Sequence, residues 1–270
     1  MNSDPAVQVA RVAKRSKALR ALARLGFAVN GLLHILIAGI AIAVAVGAGG
    51  GTADQSGALG QLAASPGGVL VLWTVVVGLF ALGLWLFLGA FLMPGADPKR
   101  KWSHRVVEVS KAAVYLLLAG TAAIFALGGA TDSATNTRDA SAALMKAPGG
   151  VAVLLIGGLV VLGIGVYFVR KGALRKFTAD LTVPGGTAGR AIVALGIAGY
   201  IAKGVALAVM AVLIVVAALT LDPSKSTGLD GALKGLAALP SGGVILVVVG
   251  VGLIAYGLYC FARAWRARLT

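Results

Sequence analysis

The chain has 270 residues, 59% of them hydrophobic and 12% charged, with 39 Gly and a mean hydropathy of +0.95, where an ordinary soluble domain carries roughly 25% charged residues. Such a composition cannot supply a charged surface around one core; it excludes a soluble enzyme and makes the bilayer the solvent for most of the chain. The single Cys260 excludes an intrachain disulfide, and two His leave too few ligands for a closed zinc site, so neither a metal nor a cofactor is expected.

In chain order, residues 1–21 form a basic segment, and residues 5–25 read as a basic helix, containing Ala, Val and Leu, that lies along the inner leaflet. A secretory signal fits less well, because the apolar run that follows is longer than the roughly 7–15 residues of a signal core. A span needs about 20 apolar residues, and the long uncharged runs predict six transmembrane helices near 25–47, 67–93, 107–128, 149–170, 197–220 and 242–263. The runs lack the period-2 alternation of an outer-membrane barrel. The expected fold class is therefore all-α, a polytopic membrane bundle of six helices.

The net charge of +15 would suggest a nucleic-acid partner in a soluble protein. Here its distribution points to topology instead. Of 24 cations, 18 lie in the N-terminal segment, the second and fourth connections and the C-terminus, which places both termini in the cytoplasm by the positive-inside rule. The expected partners are the bilayer with its anionic headgroups and, in addition, other membrane-protein subunits; no nucleic acid is expected.

Pro66, Pro148 and Pro240 reveal three tandem helix hairpins, near 22–94, 103–176 and 190–268. Gly83, Gly165 and Gly257 follow these prolines at one shared interval, and the aromatics Trp85, Tyr167 and Tyr259 follow at another. Leu62, Leu144 and Leu236 precede the prolines, again at equal distances. Proline is expected at the first position of each even-numbered span. The three glycines are expected at close helix contacts, and the three aromatics in an interfacial belt. Short Ala/Leu segments such as Ala58–Ala64 and Ala232–Leu239 are expected to form surface helices.

Gly199-Tyr200-Ile201-Ala202-Lys203-Gly204, its counterpart Gly26-Phe27-Ala28-Val29-Asn30-Gly31, the Ala/Leu segments leading to Gly67 and Gly242, and the closing Tyr256-Gly257 resemble the bacterial family called domain of unknown function 1206. The resemblance covers nearly the whole chain from about residue 22; the second copy departs from it, with Val107 and Ala112 where the others have Gly. It implies three two-helix membrane units in a bacterial cell membrane, and it implies no activity.

Polar residues within the spans are few: Asn30, His34, Glu108 with Lys111, and Lys203. They form the candidate polar or ligand site, because ionisable groups are costly there. Lys203 starts about 24 Å from the outer end of its span in a core about 30 Å thick, so its stem is expected to reach the boundary by snorkelling. Glu108 and Lys111, spaced i, i+3, are expected to pair locally. Asn30, Lys111 and Lys203 are equivalent in the three copies and could instead converge as an anion-attracting ring. Motifs of zinc proteases, P-loops and serine hydrolases are absent. The expected function is a non-catalytic scaffold or accessory subunit docking on a larger membrane complex. The alternative is a three-repeat transporter or channel with a site for an anionic solute or lipid headgroup near the cytoplasmic side.

Overall fold

The computed structural model describes residues 16–49, 51–92 and 98–268, with the backbone alone at 98–100. Arg11, Lys14 and Arg15, the first part of the surface helix expected over 5–25, and connection residues 94–97 lie outside the described residues. Among the described residues nine α-helices follow one another: α1 (Lys17–Ala45), α2 (Gln55–Ala64), α3 (Gly68–Gly89), α4 (Pro98–Ala126), α5 (Ser133–Lys146), α6 (Gly150–Ala173), α7 (Gly186–Thr220), α8 (Gly228–Ala237) and α9 (Gly242–Arg266). Among the described residues there is no strand. Helices α1, α3, α4, α6, α7 and α9 are long and apolar enough to cross a membrane, and the protein is an all-α, multi-pass membrane protein of three helix hairpins. The short α2, α5 and α8 fill the connections within the hairpins.

Three spans begin earlier than the hydropathy predicts. Helix α1 starts at Lys17, α4 at Pro98 and α7 at Gly186, where the apolar runs place the starts near 25, 107 and 197. Lys, Arg and Ala are good helix formers; charges end the apolar segment but leave the helical backbone free to continue. The 35 residues of α7 extend about 52 Å, well beyond a hydrocarbon core of about 30 Å.

The proline turns also differ from expectation. Pro66, Pro148 and Pro240 do not occupy the first helical position; α3, α6 and α9 start two residues later. The intervening residue takes a left-handed backbone, with φ of 73° at Gly67, 73° at Gly149 and 59° at Ser241. Each turn is closed alike. The N–H before proline, at Ser65, Ala147 and Leu239, donates to the carbonyl of Leu62, Leu144 and Leu236, and its own carbonyl accepts from Gly68, Gly150 and Gly242. A Cβ on Gly68, Gly150 or Gly242 would overlap that leucine carbonyl oxygen. The repeated Leu and second Gly are thus two halves of one backbone contact.

The chain forms two compact units: one of residues 1–30, 62–129 and 260–270, the other of residues 31–61 and 130–259. In the first unit, α1 meets α3 at Gly26, Gly78 and Leu82, and α3 meets α4 where Gly83 faces Ala112 and Leu116. In the second, α6 runs antiparallel to α7: Gly158 faces Val215, Gly165 faces Gly204 and Ala208, and Gly172 faces Ile197 and Tyr200. Within the same unit α9 lies antiparallel to the second half of α1, with Gly250 against Ile42 and Gly257 against Gly31 and Ile35. Lipid removes the hydrophobic drive between helices, so small residues that admit the opposing backbone hold such pairs together.

The short helices belong mainly to the second unit and are joined in repeat order by polar contacts. Ser133 N–H donates to Ser56 Oγ at 3.2 Å, Ser141 and Ser226 hydroxyls meet at 2.8 Å, and Ala53 N–H donates to Asp230 Oδ1 at 2.7 Å. Ser56, Ser141, Ser226 and Asp230 are buried, so these bonds satisfy polar groups that would otherwise be costly. Asp132 caps α5 by accepting from Ala134 and Thr135. The hydrogen bond from the Thr135 amide, above all, holds the Asp132 carboxyl below its usual range.

Candidate functional site

Three glycines recur at one kind of contact. A Cβ on Gly83 would stand 3.3 Å from the carbonyl oxygen of Ala112, one on Gly165 2.9 Å from that of Gly204, and one on Gly257 2.6 Å from that of Gly31. In each case the second long helix of one repeat meets the first of another: repeat 1 meets 2, repeat 2 meets 3 and repeat 3 meets 1. Asn30, Lys111 and Lys203 immediately precede the carbonyl that is met, so the helices carry all three beside such crossings.

Their surroundings differ. Asn30 is buried, and its Nδ2 donates to Cys260 Sγ at 3.5 Å. The Lys203 ammonium, instead of running out along a lipid-facing surface, donates to Tyr256 Oη at 3.3 Å and lies 4.4 Å from the Tyr256 ring centroid and 5.3 Å from that of Phe168. Ring faces attract a desolvated ammonium, which removes the need to snorkel. Cys260 and Phe168 stand at one position of the repeat, each directly after its aromatic Tyr259 or Tyr167; the third equivalent, after Trp85, is the apolar Leu86. Lys111, half-exposed, bonds Glu108 at 2.7 Å on its own helix. The His34 ring packs on Tyr256, with centroids 4.7 Å apart.

The buried rings that continue from Tyr256 are only partly legible in the sequence. Tyr200, Tyr259 and Phe177 are among the largest fully buried side chains. Phe177 stacks on Tyr200 at 5.3 Å and meets Tyr259 edge-on at 5.2 Å, and Tyr259 Oη donates to the Phe177 carbonyl at 3.3 Å. Lys171 lies 5.2 Å from the Tyr200 ring and bonds Asp180 at 2.7 Å. Phe177 and Asp180 belong to the connection after α6, which composition marks only as basic; Phe177 offers the one aromatic side chain there as a signal. The expected aromatic belt is corrected as well. Trp85 packs in a core with Ala23, Phe27, Leu82 and Ala267, and Tyr259 is wholly buried; Tyr167 alone is exposed. Such a nest of rings and phenols holds ammonium groups and offers packing and hydrogen bonds. Among the described residues no three His, Cys, Asp or Glu converge to bind a metal.

Compared with known families, residues 25–92, 108–175 and 198–267 each match Domain of Unknown Function (DUF1206). The chain belongs to this family. A curated relative, Uncharacterized protein YxxB of Bacillus subtilis (strain 168), is 29% identical over 263 residues, covering 93% of this chain and 92% of that protein. No solved structure matches the chain.

The three DUF1206 segments are not used alike. At three matching positions after the proline, repeat 1 has Gly78, Leu82 and Trp85 and repeat 3 has Gly252, Tyr256 and Tyr259, all buried. Repeat 2 has Val160, Ile164 and Tyr167 there, exposed at 56%, 43% and 54%. The partner position explains the contrast. A Cβ on Gly26 would overlap Leu82, and one on Gly199 would stand 2.5 Å from Tyr256 Cα. These glycines let the two long helices of DUF1206 repeats 1 and 3 close on each other. Their counterpart in repeat 2 is Val107, itself 48% exposed.

Proposed function

We propose that the protein is a non-catalytic subunit of the bacterial cell membrane, with both termini cytoplasmic, that docks as a scaffold or accessory component on a larger membrane complex. The observation that carries the proposal is the face of α6 formed by Val160, Ile164 and Tyr167. Repeats 1 and 3 cover the equivalent positions with their own first helix, whereas in repeat 2 they are exposed. Helix α6 is the least buried of the six spans, and Gly157 and Gly163 on it have open space beyond their Cα atoms, which admits a close helix from another subunit. The polar side chains of the spans also favour this reading over transport: Asn30, Lys111 and Lys203 are engaged by Cys260, Glu108 and Tyr256.

A photo-crosslinking residue at position 164 tests the proposal, with position 248 on α9, equally apolar and exposed at 65%, as control. The expected result is a discrete protein adduct from 164 and none from 248, together with a stoichiometric companion in mild detergent. Lipid adducts alone at both positions, from a protein that purifies by itself, would overturn it.

A further inference from the structure

Beside the crossing of α6 and α7 lies a groove of about 380 Å³, walled by Val166, Val169 and the stem of Arg170 on α6 and by Val205, Val209 and Val212 on α7. Its walls present no polar atom. The groove arises because Gly165, Gly204 and Ala208 draw the two backbones together, leaving a hollow between the flanking valines. Val166 and Val212 are both half-exposed, so the hollow opens sideways. Water in such a hollow would lack the two to four polar partners that an ordered water needs.

The charge at this groove sits at one end. Because α6 and α7 are antiparallel, with Gly172 beside Ile197 and Gly158 beside Val215, Arg170 stands at the Val205 end and Val212 lies about 10 Å deeper. The neighbouring Lys171 is turned to Asp180 and Tyr200. Arg170 is exposed, and its guanidinium makes no hydrogen bond or ion pair with any described residue. A guanidinium brings five donors in a planar fork that matches phosphate oxygens. An all-carbon trough ending at such a fork is complementary to an amphiphile with an anionic head and an alkyl chain.

We infer that this groove binds one anionic phospholipid, the upper part of an acyl chain lying between α6 and α7 and its phosphate held by Arg170. The inference concerns a different surface from the α6 face at Ile164 and does not depend on the docking role.

Native mass spectrometry of the full chain, delipidated in mild detergent and supplied with phosphatidylglycerol or with diacylglycerol of equal chain length, which lacks the phosphate, tests it. One phosphatidylglycerol should be retained about tenfold more strongly, the effect of one charge-assisted pair. Arg170→Gln should remove that preference while leaving weak binding of both lipids. Val212→Trp, which fills the groove from its exposed side, should weaken both. Unchanged melting temperatures would confirm that these surface variants fold. Equal retention of the two lipids, a preference that survives Arg170→Gln, or displacement by soluble glycerol phosphate would overturn the inference. So would a protein adduct from a photo-crosslinker at position 209, since a partner would then occupy the groove.

Discussion

Repeat 2 and repeat 3 share a plan and differ in what they do with it. In repeat 3, Gly199 admits Tyr256, whose ring lies against the Lys203 ammonium, and the buried Tyr259 packs beside Tyr256 and Tyr200. In repeat 2, Val107 stands in place of the glycine, and Ile164 and Tyr167 stay exposed. Val107 and Val160 both stand where repeats 1 and 3 have glycine, and it is the missing Cβ at such positions that allows close backbone approach. The difference teaches that internal repetition fixes where contacts can form, while single small residues decide which of them are made.

The largest effect should come from the crossing that both repeats retain. Gly165→Leu places a branched side chain against the Gly204 carbonyl and the Ala208 backbone, 2.9 and 3.0 Å from its Cβ, and backbone cannot yield as a side chain can. The cost should exceed the roughly 1–3 kcal/mol of ordinary overpacking, with loss of the monodisperse peak on size exclusion. Gly163→Leu, two residues away and facing open space, should migrate and melt like the parent. Equal behaviour of the two variants would remove the crossing from the account.

Next in size is the aromatic that recurs as Trp85, Tyr167 and Tyr259. Tyr259→Ala empties a fully buried site and forfeits the bond to the Phe177 carbonyl, an expected loss of about 3–5 kcal/mol. Tyr167→Ala at the exposed equivalent should stay within about 0.5 kcal/mol. Thermal melting in one detergent compares them directly. A large loss at Tyr167 in the isolated protein would show that its exposure is not real, and would remove the basis for a docking face.

The proline turns permit a gentler comparison. Ser241 adopts φ of 59° where the other repeats have glycine at 73°, a conformation that costs a side chain roughly 1–2 kcal/mol. Ser241→Gly should therefore stabilise by up to about 1 kcal/mol, and Gly149→Ser should destabilise by about the same amount. Opposite signs in the two melting curves are the required outcome.

Much of this architecture is legible because the bilayer simplifies the code. Uncharged runs of span length, the proline ruler and the repeated glycines are one-dimensional signals. The helix starts at Lys17, Pro98 and Gly186 escape it because charge reports the edge of the lipid, and helicity continues past it. The turn position of Pro66 and its equivalents escapes it because a left-handed residue after proline leaves only Gly, or once Ser, as its trace. Lys111 meets Glu108 on its own helix, as their spacing discloses, whereas Asn30 and Lys203 meet the side chain that follows the recurring aromatic of another repeat, Cys260 and Phe168. That second pairing follows from how repeats succeed one another at the crossings, and spacing within one helix cannot disclose it. Phe177 is hidden by its basic neighbours, and burial of an aromatic in a connection is a tertiary fact.

The smallest expected effect concerns the short helices. Helix α5 of repeat 2 is capped by the Asp132 carboxylate, which accepts from Ala134 and Thr135 at 2.8 and 3.0 Å. In repeat 3, the residue preceding α8, Thr227, makes no side-chain cap bond. The Thr135 amide lowers the Asp132 pKa from its ordinary 3.8. A carboxyl whose folded pKa lies below its unfolded one contributes stability that is fully present above the unfolded value and lost as pH falls through the folded one. The cap of α5 should therefore weaken as pH drops from about 5 to below 3.8, and the Ala134 and Thr135 amides should lose exchange protection over that range, after correction for intrinsic rates. The first amides of α8 should not follow through their own cap. Asp132→Asn keeps an acceptor but cannot titrate, so it should abolish the acid-dependent change at α5. Asp132→Ala should cost about 1 kcal/mol of local stability at neutral pH. If Asp132→Asn shows the same acid-dependent loss as the parent, the cap's ionisation is not its cause, and the acid sensitivity must come from elsewhere in the layer that joins α2, α5 and α8.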